Sequence, residues 1–213
     1  MRRAERANLC WEYFKKEHPS PRTELDYQVP HQLLIAVILS AQCTDRRVNA
    51  VTPALFAAFP DLDSLSRASA SEVLPYISSV SYPRNKASYL VRTAHILVRD
   101  HGGQIPSVPS VLESLPGVGR KTAHVVSSIL YDLPVIAVDT HVFRVSHRLG
   151  LVRSSSGTPL AVERDLCGLI PGSLRGRAHH WLILHGRYIC LARRPRCSDC
   201  GLFKICPRLG VSV

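Results

Sequence analysis

The chain has 213 residues, with 27 Lys and Arg against 16 Asp and Glu and a formal net charge of +11. A hydrophobic share of 46% excludes a disordered chain, and no apolar run approaches the roughly 18 residues a membrane-spanning helix needs. The charge suits a polyanionic partner, nucleic acid ahead of an anionic membrane surface.

In chain order the pattern predicts helix after helix. Residues 4–17 carry an apolar stripe between charges and read as an amphipathic helix, not an export signal. Residues 31–43 are almost wholly apolar and predict a central, buried helix. Shorter helices are expected over 48–59, 61–68 and 71–80, the last interrupted by Pro75. Leu90, Val91, Ala94, Leu97 and Val98 give 86–100 helical spacing, with His101-Gly102-Gly103 as its stop. Helices follow over 108–114, 121–131, 140–149, 159–170 and 178–190. The run 134–138 is the one strand-like segment; it lacks a partner and reads as a linker. The composition changes there, since most histidines and four close cysteines come later, so a domain junction is placed near Pro134.

With no export signal, the seven cysteines face a reducing compartment, expected to be the cytoplasm, and clustered cysteines there point to a metal. Cys190, Cys197, Cys200 and Cys206 form C-x6-C-x2-C-x5-C. Four sulfurs suit zinc or an iron–sulfur cluster. The unequal spacing differs from the paired CxxC of zinc ribbons. Cys10, Cys43 and Cys167 lie outside the pattern and are expected to be buried and inert. Arg187, Arg193, Arg194, Arg196, Lys204 and Arg208 surround the four ligands. They admit a phosphate grip, a solvated basic tail, or an offset to thiolate charge.

The run Leu115-Pro116-Gly117-Val118-Gly119-Arg120-Lys121-Thr122-Ala123 is the most informative. Two glycines permit backbone that other residues resist, and the helix that follows presents unpaired N–H groups at its positive end. Gly117, Val118, Gly119, Arg120 and Thr122 thus form a seat for one phosphate, without the glycine–lysine spacing of a P-loop. Lys121 lies in the first helical turn, where the helix dipole and Arg120 both favour a neutral amine. Such an amine can attack a sugar carbon and form a Schiff base; a solvated lysine contacting phosphate is the plainer alternative. Asp139 opens Val138-Asp139-Thr140-His141-Val142-Phe143-Arg144-Val145. It reads as the N-cap of the next helix, and also as a carboxylate facing Lys121 across the domain junction. His141 reads as an orienting or simply packed histidine, and Arg144 as a further cation near DNA.

LPGVGRKTA, VDTHVFRV, the four-cysteine loop, LSAQCTD at 39–45 and HHWLILHGRYIC at 179–190 occur in one order. On these motifs the chain resembles the endonuclease III family of helix-hairpin-helix DNA glycosylases and AP lyases, over about 25–207. The resemblance implies an all-α fold of two helical domains flanking a DNA-binding cleft. One is a six-helix barrel over 25–133; the other, over 1–24 and 134–213, holds a [4Fe–4S] cluster on the four cysteines. It implies Lys121 as nucleophile, Asp139 as catalytic carboxylate, and Gln42 as the residue that fills the gap left by a flipped nucleotide. Further implied are double-stranded DNA with oxidised pyrimidines or abasic sites as partner, strand cleavage by β-elimination, a monomer, and a cytoplasmic, nucleoid-associated location.

One loop departs from the family. Val80-Ser81-Tyr82-Pro83-Arg84-Asn85-Lys86-Ala87 has Ser81 where Gly is common and Pro83 where Tyr is common, and Tyr82 takes the wedge position. A monofunctional thymine or uracil glycosylase would lack Lys121. Adenine-removing relatives need a carboxylate within 33–44, and none is present. A non-catalytic hairpin module would lack Lys121 or Asp139, and an iron–sulfur electron carrier fits poorly with a DNA-type hairpin.

Overall fold

The computed structural model describes residues 1–211, and every regular element among them is helical. The chain divides into two compact units, Thr23–Tyr131, and Met1–Arg22 together with the segment from Asp132 onward. Helix α1 (Arg3–Glu17) opens the chain and belongs to the second unit.

The first unit is built on α2 (Pro30–Leu39), whose residues from Leu33 to Leu39 are all buried. A helix apolar on every face can only be central, and α2 touches α3 (Asp45–Ala58), α6 (Pro83–His101) and α8 (Arg120–Tyr131). Each Leu or Ile buried there contributes about 1.5–3 kcal/mol before chain entropy is set against it. The predicted helix overran: it stops at Leu39, and residues 40–43 form a turn in which Gln42 takes a left-handed φ of 54°. Two short helices carry reciprocal caps, α4 (Leu62–Arg67) from Asp61 and α5 (Ala70–Val73) from Ser69. The expected helix over 71–80 is instead α5 followed by a 3-10 turn, Leu74–Ile77. Pro75 has no N–H to continue the α ladder. Helix α6 ends on left-handed Gly102 as its sequence predicts, and α7 (Pro109–Glu113) precedes α8.

The second unit packs α1 against α9 (Thr140–Arg148), α10 (Pro159–Leu169) and α11 (Arg175–Tyr188) around one apolar core. Phe14 stacks on Trp181 with centroids 5.9 Å apart, and the Trp181 indole donates to the His18 carbonyl at 2.7 Å. Arg6 crosses to the distant chain, donating to the carbonyls of Gly150 (3.1 Å) and Ile205 (3.2 Å). Residues 134–138 are a linker, not a strand. Cys10 is fully buried, as expected, and burial pushes its thiol up to about 12. Cys43 and Cys167 are only half-buried, which corrects the expectation for those two.

Candidate active site and cysteine centre

The glycine hairpin joins α7 to α8 in the first unit. Leu115 and Val118 are buried and anchor it, with Val118 N–H donating to the Leu115 carbonyl at 3.1 Å. Helix α6 supports it from below on one face: Thr93 donates to the Pro116 carbonyl at 2.9 Å, and the Tyr89 ring packs under Gly117. Gly117 has φ +78°, a region that strains residues with a Cβ. Gly119 needs no such backbone and faces open space. The two glycines, alike in the sequence pattern, differ in the structure: Gly117 meets a conformational requirement and Gly119 an open approach.

Arg120 and Lys121 are the first two residues of α8, and both are exposed. Arg120 pairs with Glu113 at 3.8 Å, so part of its charge is answered within the hairpin. Thr122 is half-buried just behind Lys121. The arrangement offers N–H groups at the positive end of a twelve-residue helix beside an exposed primary amine.

Two other loops of this unit meet. Tyr82 is the N-cap of α6, left-handed at φ 54° and 63% exposed, and Gln42 is exposed and left-handed too. The Ser81 hydroxyl donates to the Gln42 carbonyl at 2.5 Å. Lys86 is buried and donates to the carbonyls of Leu39 (2.9 Å) and Ala41 (2.7 Å); burial lowers its pKa. The sequence pattern places Ser81 only in a loop and Lys86 only at the start of a helix. A lysine placed among the apolar positions of a helix was the available signal for a buried donor.

In the second unit Asp139 caps α9. Its Oδ1 accepts from the N–H groups of His141 (2.9 Å) and Val142 (2.8 Å). His141 is half-buried, and burial lowers its imidazole against the opposing pull of Asp139. Arg144 is turned into its own unit, donating to the carbonyls of Gly186 (2.8 Å) and Cys190 (3.2 Å). It thereby ties α9 to the end of α11. Gly186 lets these helices approach, since a Cβ there would lie 3.0 Å from that of His141.

Cys190, Cys197, Cys200 and Cys206 line one cavity, together with Arg148, His185, Arg196 and Arg208. Burial raises the Cys200 and Cys206 thiols, and the neighbouring cysteines add to it. Arg148 is buried, and no motif in the sequence marks it. It donates to the Cys190 sulfur at 3.5 Å and to the carbonyls of Leu191 (2.6 Å) and Ala192 (2.9 Å). Its place one turn past Arg144 was the legible clue. The His185 Nε2 lies 3.6 Å from the Cys200 sulfur, and burial lowers this imidazole to about 4. Arg193 and Arg194 are exposed on the same loop, Arg194 in left-handed backbone.

Residues 35–171 match the profile of the HhH-GPD superfamily base excision DNA repair protein. Endonuclease III of Rickettsia conorii is 43% identical over 203 residues, covering 95% of this chain and 96% of that protein. Endonuclease III of Escherichia coli K12 is 39% identical over 206 residues, covering 97% and 96%. The solved structure of a trapped endonuclease III–DNA covalent intermediate superposes with a TM-score of 0.91 at 39% identity, covering 98% of this chain and 97% of that one. A thermostable thymine-DNA glycosylase superposes at 0.85, but at 22% identity this is a likeness of fold alone.

An all-helical fold carrying this hairpin defines the class, the helix-hairpin-helix proteins of base excision DNA repair. Within it, the chain belongs to the endonuclease III family, and it is a DNA glycosylase and AP lyase of base excision repair.

Proposed function

We propose that the chain acts as a monomer on damaged double-stranded DNA in the cytoplasm, at the nucleoid, removing oxidised pyrimidines with Lys121 as nucleophile. The observation that carries this reading is the hairpin: Gly117, seated on Tyr89, turns the chain so that exposed Lys121 falls in the first turn of α8, where the N–H groups of a helix end suit a phosphate. The extruded nucleotide exposes its C1′. The Lys121 amine bonds to C1′, the glycosidic bond breaks, and its electron pair leaves with the base. Ring opening gives an imine, which acidifies the C2′ proton. Its removal expels the 3′ phosphate by β-elimination. Asp139 stabilises the positive charge that develops on the sugar and takes up a proton from the lysine. Gln42 and Tyr82, both exposed, enter the duplex where the nucleotide has left, and Arg193 and Arg194 contact backbone phosphate. Borohydride reduction during turnover tests the reading: wild type becomes covalently joined to DNA, and Lys121→Ala does not. Adduct at normal yield in the variant removes Lys121 from the role.

We further propose that the four cysteines hold a [4Fe–4S] cluster. The unequal C-x6-C-x2-C-x5-C spacing differs from the paired CxxC of a zinc ribbon. Four thiols around one cavity, with Arg148 and Arg196 at its wall, fit a larger anionic group. When bound, the cluster supplies a cross-link that fixes the loop carrying Arg193 and Arg194. Anaerobic purification should give about four iron and four sulfide per chain; zinc alone would overturn the assignment.

A further inference from the structure

The turn at 40–43 and the loop at 78–82 are far apart in sequence but joined by side chains. Three carbonyls at the end of α2 and in this turn, those of Leu39, Ala41 and Gln42, each accept a bond from the segment 81–86: Lys86 holds two and Ser81 the third. Above these ties stand two exposed residues in left-handed backbone, Gln42 and Tyr82, both at φ 54°. Neither is a glycine, and Tyr82 precedes Pro83, which favours extended backbone in the residue before it. Backbone of this kind persists only where its surroundings over-determine it. Lys86 is buried and anchors the base of the turn. The Ser81 hydroxyl reaches Gln42 itself, from the residue next to Tyr82.

We infer that Ser81 is a positioning residue: its hydroxyl locks Gln42 and Tyr82 into one preformed pair, so that both enter the duplex together without first being ordered. This rests on the proposed reading of Gln42 and Tyr82 as the residues that replace the flipped nucleotide. Preorganisation lowers the ordering cost at the step where the base is unstacked, and that step is absent from a flexible single strand. Loss of the hydroxyl therefore acts on duplex substrates. The side chain of Tyr82 is still present, but its loop must find its conformation after contact.

The test uses the full chain with its metal centre and a duplex carrying 2-aminopurine beside the damaged base. Stopped-flow fluorescence reports unstacking, and borohydride trapping is run in parallel on a duplex and on a single-stranded abasic oligonucleotide. Ser81→Ala is expected to slow unstacking about three- to tenfold, the kinetic equivalent of one ordinary hydrogen bond. The ratio of duplex to single-strand trapping should fall by a similar factor. Ser81→Thr, which retains the hydroxyl, should restore both, and thermal melting of the three proteins shows whether the fold is kept. If Ser81→Ala unstacks at the wild-type rate while Tyr82→Ala is slow, the positioning role is wrong and the reading of Tyr82 stands. If Gln42→Ala and Tyr82→Ala also unstack normally, both fall together. A loss that Ser81→Thr does not restore overturns the role of the hydroxyl.

Discussion

Gly117 and Tyr89 are in such close contact that a β-carbon on the glycine would lie 2.8 Å from the ring's Cδ2. The turn of the hairpin is therefore seated directly on an aromatic ring of α6. A β-carbon on its other glycine, Gly119, would meet nothing within 4 Å. Gly117→Ala combines left-handed backbone with a clash and should cost about 2 kcal/mol of stability. Gly119→Ala should leave urea unfolding near wild type and weaken duplex binding, because its methyl enters the open approach to the helix end. Equal destabilisation by both substitutions would contradict this division.

Asp139 caps α9 through Oδ1 alone, and this separates its two roles. Asp139→Ala removes the cap and should cost about 1 kcal/mol of stability. Asp139→Asn retains an acceptor oxygen, so it should unfold nearly like wild type. Both variants should lose kcat by a hundredfold or more, as expected when a charge acting on the transition state is removed. Near-normal turnover in Asp139→Asn would reduce the residue to a cap.

Gly201 follows Cys200 and lies against the ring of Tyr13 on α1, where any β-carbon would overlap the ring. Gly201→Ala should displace the loop and lower iron per chain, read by iron and sulfide analysis. Tyr13→Ala in the same chain makes room and should recover part of the iron. No recovery would place the defect elsewhere.

Burial lowers the His180 imidazole from 6.5 to about 4. The unfolded chain therefore takes up this proton before the folded chain does. Stability from the neutral ring is fully present above pH 6.5 and is lost as pH falls towards 4, by no more than about 2–3 kcal/mol. Urea midpoints at pH 7 and pH 5 should draw apart less in His180→Gln than in wild type. Equal separation would show that other groups carry the acid sensitivity.

Much of this protein was legible in its residues because the signals are local. Helical periodicity, the glycine stop of α6 and the Asp139 cap depend on neighbours a turn away, and the structure reproduces them. The departures are local as well: the stretch 31–43 is almost wholly apolar and predicts a helix to Cys43, yet the helix ends at Leu39. Lys86, from the first turn of α6, holds the carbonyls of Leu39 and Ala41 there, and no periodicity encodes that tie.

By itself the sequence determined the all-helical class, the hairpin and the four-cysteine loop, since spacing along the chain decides which groups can share a turn. Only the tertiary structure decided that Arg148 reaches Cys190, that Ser81 holds Gln42, and that Gly117 rests on Tyr89. These pairs lie far apart in the chain. Packing of whole helices brings them within bonding distance, and that depends on the burial of every element at once.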